Sequence, residues 1–131
     1  MSVAAERGVE LKRADAPGLE IGNRAAHLAG LVLVNLVTNA IEASPRGGAV
    51  QLEAVADGPR VAFLVRDPGS GLPPAVRAGL FRPVRSTKRG GGGVGLAISQ
   101  RLARHAGGTL ELVSSGSDGT TFRLLVPRAA S

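Results

Sequence analysis

Between Arg24 and Ala43 the apolar residues Leu33, Leu36, Val37, Ala40 and Ile41 recur at helical spacing. The run stops at Ser44-Pro45-Arg46-Gly47-Gly48, where the proline and the glycines end a helix. The polar residues of this helix are not scattered. At about 100° per residue Asn35, Asn39 and Glu42 share the face opposite the apolar one. Gly8 to Arg13 predicts a first strand, closed by the Ala16-Pro17-Gly18 break. Val50 to Ala56 and Arg60 to Arg66 are β-rich runs joined by Asp57-Gly58-Pro59, the pattern of an antiparallel hairpin, and Asp67 falls at the end of the second.

Pro74 to Leu80 predicts a short helix, and Phe81 to Gly92, which has no period, predicts a loop. Gly93 to Ala106 sets Val94, Ala97, Ile98, Arg101 and Leu102 at amphipathic helical spacing, and Gly107-Gly108 closes that helix. Thr109 to Val113 and Thr120 to Val126 predict a last hairpin around Ser114 to Gly119. The resulting order is strand, helix, two strands, short helix, loop, helix, two strands. It specifies an α+β fold with helices covering one face of a mixed sheet, and 131 residues suit a single domain over 1–131.

Composition narrows the function. The net charge of +6 favours anionic partners: nucleic acid, anionic lipid or nucleotides. With three Phe, no Tyr and no Trp, the chain lacks the stacking platforms of a single-strand binder, so no nucleic-acid partner is expected. There is no cysteine for a disulfide or thiolate metal site, Met1 to Gly8 lack the apolar core of a signal peptide, and no unbroken apolar run reaches membrane-spanning length. A cytoplasmic location without direct membrane insertion is the expectation.

Three segments carry chemistry. Pro68 to Leu110 contains no acidic residue, and its cationic loop, with Arg85, Lys88 and Arg89, runs into Gly90-Gly91-Gly92-Gly93-Val94-Gly95-Leu96 at the start of a helix. Backbone amides there, with the partial positive charge of a helix N-terminus, suit a phosphate chain. Gly90, Gly92 and Gly95 also match Gly-x-Gly-x-x-Gly, but no strand precedes them and no βαβ unit follows, which rules out the dinucleotide fingerprint. No Gly-Lys-Ser/Thr follows, which rules out a Walker A loop. Asp67-Pro68-Gly69-Ser70-Gly71 puts an acceptor-only carboxylate beside residues without Cβ, where a flat base can approach the backbone. Adenine offers such a carboxylate an amino group, whereas guanine presents a carbonyl. Asn35 and Asn39 either meet solvent or serve a ligand, and a carboxamide oxygen is a suitable hard donor for Mg²⁺.

In order and spacing these segments resemble the GHKL ATPases, and within them the catalytic and ATP-binding domain of sensor histidine kinases, over Gly8 to Pro127. Asn35-Leu36-Val37-Thr38-Asn39-Ala40 looks like the N box and Asp67-Pro68-Gly69-Ser70-Gly71 the G1 box. Leu80-Phe81-Arg82-Pro83 with Ser86-Thr87-Lys88 looks like the F box, Gly91 to Leu96 the G2 box, and Gly119-Thr120-Thr121-Phe122 the closing motif. The resemblance implies the two-layer α/β sandwich of the Bergerat type, with a mixed, mostly antiparallel sheet. It implies that MgATP is bound and its γ-phosphoryl donated to a histidine of a separate dimerisation domain, the full kinase then serving a response regulator.

By the same resemblance Asn39 and Asn35 hold Mg²⁺, Asp67 reads adenine with Thr120 beside it, and Gly69 and Gly71 shape the base pocket. Arg85, Lys88, Arg89, Gly91, Gly93, Val94, Gly95 and Leu96 enclose the triphosphate, and the catalytic roles fall to Asn35 and Lys88. The chain departs from the family pattern at several positions. Glu42 stands where many relatives have Lys, and Glu42-Ala43 looks like the nitrogen-regulator type. Pro68 replaces a frequent Asn, Val84 a second Phe and Gly92 a Thr. Neither His27-Leu28 nor His105-Ala106 gives the histidine–acid pair of the phosphoacceptor helix, so the chain alone is expected not to phosphorylate itself. A second reading is a stand-alone nucleotide-dependent module for protein interaction.

Overall fold

The computed structural model describes residues 8–15, 20–69, 71–72 and 92–128, with the backbone alone at 14–15 and 92–95. The elements are β1 (Glu10–Asp15), α1 (Asn23–Ala43), β2 (Ala49–Asp57), β3 (Arg60–Asp67), α2 (Gly92–His105), β4 (Thr109–Gly116) and β5 (Gly119–Pro127). The strands form one sheet in the order β1-β2-β3-β5-β4, parallel between β1 and β2 and antiparallel elsewhere. The expected break at Ala16-Pro17-Gly18 and the expected Pro74–Leu80 helix lie outside the described residues.

Alternation along the strands divides the sheet into two faces. On the inner face the register stacks Leu52, Val65, Phe122 and Leu112 in one row, and Ala54, Phe63, Leu124 and Leu110 in the next. These rows and the apolar sides of α1 and α2 make the core, in which Val32, Leu36, Val50, Val61, Val65, Leu124 and Val126 are almost wholly buried. Each such side chain contributes about 1.5–3 kcal/mol, so this face dominates the stability of the domain. The outer face is largely polar, although Ala62 and Leu125 are paired and buried on it. Arg66 Nε donates to Thr121 Oγ1, and Arg123 pairs with Glu111 across β5 and β4.

The α1 helix buries Ala29, Val32, Leu36, Ala40 and Ile41, while Leu33 and Val37 are half-buried against the same core. Its end is satisfied locally. Ser44 N–H donates to the Ile41 carbonyl, Ser44 Oγ to the Ala40 carbonyl, and Pro45 stops the helix. At 21 residues α1 is also apolar enough in composition to cross a membrane, although Asn35 and Asn39 interrupt any unbroken apolar run. The expectation drawn from unbroken runs therefore does not extend to average hydropathy; here the buried positions of α1 lie against the sheet.

Most bounds shift by a residue, and two elements, the first strand and the last hairpin, differ more from the sequence reading. The first strand begins at Glu10, not Gly8, because the Gly8 carbonyl accepts the Gly47 amide in a turn and only Glu10 N–H reaches the next strand region, at the Gly48 carbonyl. The last hairpin is longer than expected. Its strands run on to Gly116 and from Gly119, so the turn is Ser117-Asp118, and an irregularity between Leu112 and Ser114 leaves Val113 without a cross-strand partner. That irregularity breaks the alternation that would have extended β4 in the sequence.

A side chain at Gly108 would place Cβ 1.7 Å from the Leu125 carbonyl oxygen, whereas one at Gly30, within α1, meets nothing. Gly108→Ala should therefore lower stability by about 2 kcal/mol or more, and Gly30→Ala should raise it by about 0.5–1 kcal/mol. Chemical denaturation of the two variants checks both signs.

Candidate functional site

At the end of the apolar inner face the register places Asp67 opposite Thr120, and Thr120 opposite Ser115. Three polar side chains thus continue rows that are otherwise hydrocarbon. Asp67 is only 6% exposed and Thr120 4%. Gly69 N–H donates to Asp67 Oδ1 at 2.8 Å, and the Thr120 amide also reaches this carboxylate. Burial pushes the Asp67 carboxyl above its ordinary range, and these two amide bonds pull it part of the way back. Two donors leave a carboxylate with acceptor capacity for a ligand amino group.

The walls of this corner are backbone. A Cβ on Gly69 would lie 2.7 Å from the Ala43 carbonyl oxygen and 2.9 Å from Asp67 Oδ1, so the turn after β3 fits against the end of α1 only as glycine. Gly71, at φ +91°, packs on the backbone of Gly116, and Gly119, at φ +123°, packs on the Asp67 carbonyl. Leu72 N–H then donates to Ser115 Oγ at 2.7 Å, and Ser115 Oγ lies 2.9 Å from Thr120 Oγ1. The segment after β3 is therefore fastened to the β4–β5 hairpin on one side and to α1 on the other.

The two helices run antiparallel. The end of α1 meets Gly69 at the Asp67 end of the sheet, while α2 leads into Gly108, which lies against Leu125 and hence at the end of β3 near Ala62. Where they cross, Asn35 Nδ2 donates to Ser99 Oγ at 2.7 Å, and Ser99 is 2% exposed. The bond commits the nitrogen of the carboxamide and leaves Oδ1 to accept or to ligate. Asn39 lies one turn, about 6 Å, further toward the Asp67 end. The first turn of α2 holds no acidic residue, so nothing on that turn offsets the positive helix terminus.

Asn35, Asn39, Asp67, Gly69, Gly71 and Thr120 are thus carried by elements that converge on one end of the sheet. Gly93, Val94 and Gly95 belong to the first turns of α2. Leu96 is buried in the core, which leaves its backbone for any ligand. Arg85, Lys88, Arg89 and Gly91 lie outside the described residues, as does the Leu80–Lys88 F box. Glu42, His27 and His105 are exposed. Sequence reasoning missed Ser99 and Ser115. Ser99 carried a signal, a polar residue at helical spacing from the core positions Leu96 and Ala103. Ser115 carried none, because the irregularity at Val113 shifts which serine faces inward.

Folding removes Asp67 from water, so the native protein keeps this proton to higher pH than the unfolded chain, whose carboxyl sits near 3.8. The stability that protonated Asp67 contributes is full below that value and is lost as pH rises through the raised native value. The melting temperature of the wild type relative to Asp67→Asn should therefore fall across that window and level off above it. Thermal scans of both proteins at a series of pH values decide this, and a constant difference would mean that the carboxyl is not desolvated.

The family described as histidine kinase-, DNA gyrase B-, and HSP90-like ATPase matches residues 25–130. The C4-dicarboxylate transport sensor protein DctB of Rhizobium meliloti (strain 1021) is 41% identical over 100 residues, covering 75% of this chain and 16% of DctB. The alginate biosynthesis sensor protein KinB of Pseudomonas aeruginosa is 32% identical over 129 residues, covering 97% of this chain and 20% of KinB. The chain therefore spans a small part of these sensor proteins. The crystal structure of full-length ShkA in complex with AMPPNP superposes with TM-score 0.79 and 33% identity over 98% of this chain and 27% of ShkA. The mycobacterial sensor histidine kinase MprB gives 0.76 and 25% over 98% of this chain and 89% of that one. The match over residues 25–130 and these likenesses agree with the sandwich of helices on a mixed sheet: the chain belongs to the histidine kinase-, DNA gyrase B- and HSP90-like ATPase family.

Proposed function

We propose that this chain is the catalytic domain of a sensor histidine kinase, which binds MgATP and donates the γ-phosphoryl to a histidine on a separate dimerisation domain. The observation that carries the reading is the buried Asp67 carboxylate, held by two amides between glycine walls and still able to accept, in a chain of this ATPase family. Its remaining acceptor capacity suits the adenine amino group, and guanine would set a carbonyl against it. Gly69 and Gly71 let the flat base approach the backbone, and Thr120 adds a hydroxyl beside it. The nucleotide in the ShkA complex, AMPPNP, is an ATP analogue and supports this reading.

The donor set also fits magnesium. Among the described residues no cluster of three or more His, Cys, Asp or Glu could hold a metal ion. An ion at this site would thus depend on carboxamide oxygens, water and the nucleotide's own phosphates, the coordination that Mg²⁺ accepts. Asn39 and Asn35 would hold it, Asn35 with its oxygen left available by the bond to Ser99. When bound, the ion supplies neutralisation of phosphate charge. The chain's own part is positioning, in which Asp67 anchors the base while Arg85, Lys88 and Arg89 with the amides of Gly91, Gly93, Val94, Gly95 and Leu96 hold the phosphates. Lys88 and Asn35 are the residues we assign next to the transferred group. The response regulator is reached through the full kinase, and a cytoplasmic location accords with this role.

Supplying a dimerisation domain in trans with γ-labelled ATP should move label to its histidine, whereas the chain alone should acquire no acid-labile phosphate. Nucleotide binding without transfer would instead favour a stand-alone interaction module. Asn39→Ala should weaken binding in the presence of Mg²⁺ by about tenfold, the worth of roughly one charge-assisted contact, with little change in its absence. Calorimetric titration with and without metal measures both arms, and equal losses would give Asn39 another role.

A further inference from the structure

Ser99 is a hydroxyl in an apolar row. Along α2 the residues Leu96, Ser99, Ala103 and Ala106 recur at helical spacing, and all four are buried, Ser99 to 2% exposure. Alanine would pack in that row as well, and a buried oxygen is costly unless it is hydrogen-bonded. Its partner stands on the other helix. Asn35 Nδ2 donates to Ser99 Oγ at 2.7 Å, across 64 residues of sequence.

A carboxamide has one end that can ligate a cation and one that cannot. The terminal torsion of an asparagine side chain is broad and nearly two-fold, so rotation exchanges the ligating oxygen for an NH₂ group. With Nδ2 held on Ser99, Oδ1 faces the other way. The same bond also fixes how the helices lie along each other. Gly95 lies four residues before Ser99 on α2, and Asn39 four residues after Asn35 on α1, each about 6 Å further along its axis toward the Asp67 end. Gly95 is among the first four residues of α2, whose backbone N–H groups have no partner within the helix. The carboxamides of one helix and the open amides of the other are thereby kept in register.

We infer that Ser99 is a positioning residue for the magnesium-binding carboxamide: by holding Nδ2 it turns Asn35 Oδ1 away from the helix contact, free to ligate, and ties that oxygen to the first turn of α2. Groups that orient a metal ligand in this way are commonly worth roughly ten- to a hundredfold in metal affinity. The inference rests on the MgATP reading and deepens it.

The test is calorimetric titration of the chain with ATP, once with saturating Mg²⁺ and once with a chelator. Ser99→Ala should weaken binding roughly three- to tenfold with Mg²⁺ and under about twofold without it, a smaller loss with Mg²⁺ than that of Asn35→Ala. In an Asn35→Ala background the same change should cost under about twofold in either condition, because the two residues act through one bond. The chain without nucleotide supplies a second readout. The side-chain amide NMR signals of Asn35, identified by their loss in Asn35→Ala, should move in Ser99→Ala while its melting temperature stays within a few degrees of the wild type. Should Ser99→Ala not fold, Ser99→Cys, close in volume and a weak hydrogen-bonding group, is read in the same way. Equal losses with and without Mg²⁺, unchanged or tighter binding with Mg²⁺, or unmoved Asn35 signals would overturn the inference. Asn35→Ala separates the two levels. If it weakens Mg²⁺-dependent binding while Ser99→Ala does nothing, only the role of Ser99 fails; if Asn35→Ala and Asn39→Ala both leave that binding unchanged, the magnesium site falls with it.

Discussion

Asp67 occupies the last position of an otherwise apolar sheet face, and the amides of Gly69 and Thr120 that reach its carboxylate decide what surrounds it. A carboxylate in such a place would cost several kcal/mol without partners. Its presence requires the turn after β3 to curl back within two residues, and β5 to begin directly opposite. Both demands are met by backbone approaching backbone, at Gly69 against α1 and at Gly119 against Asp67 itself. The rest of the corner follows, because a turn fixed this way presents the Leu72 amide to the hairpin beyond.

Apolar packing and polar side chains are divided between the two ends of the same rows. Toward Ala62 and Leu125 the inner face is, among the described residues, hydrocarbon against helix. Toward Asp67 the same strands carry groups with spare hydrogen-bonding capacity. The antiparallel helices join these ends, since α1 brings its carboxamides to the polar one and α2 its N-terminus, whose first turn holds no acidic residue. The Asn35–Ser99 bond sets their contact near the middle of α1.

Much of this could be read from the sequence, for physical reasons that differ by element. The α1 helix and the β2–β3 hairpin were plain because a single period runs through each without interruption, and their ends fell within a residue or two of expectation. Asp67 and its glycines stand out in the sequence because a carboxylate at a strand end followed by residues without Cβ is a local pattern. Ser99 and Ser115 depend on contacts between elements distant in the chain. The separation between Asn35 and Ser99 is 64 residues and that between Leu72 and Ser115 is 43, and neither bond leaves a local signature. The bulge removed the one local cue, strict alternation, that would have chosen between Ser114 and Ser115.

The extra residue in β4 acts on more than the pocket. β4 and β1 are the outermost strands, and each presents a row of amides and carbonyls that is open to pairing with a foreign strand. Along β4 the unpaired Val113 throws that row out of step halfway down its length. Along β1 the exposed charges of Glu10, Lys12 and Arg13 crowd the rim. The device that turns one serine inward thus also spoils the seam along which two such domains would otherwise stick together.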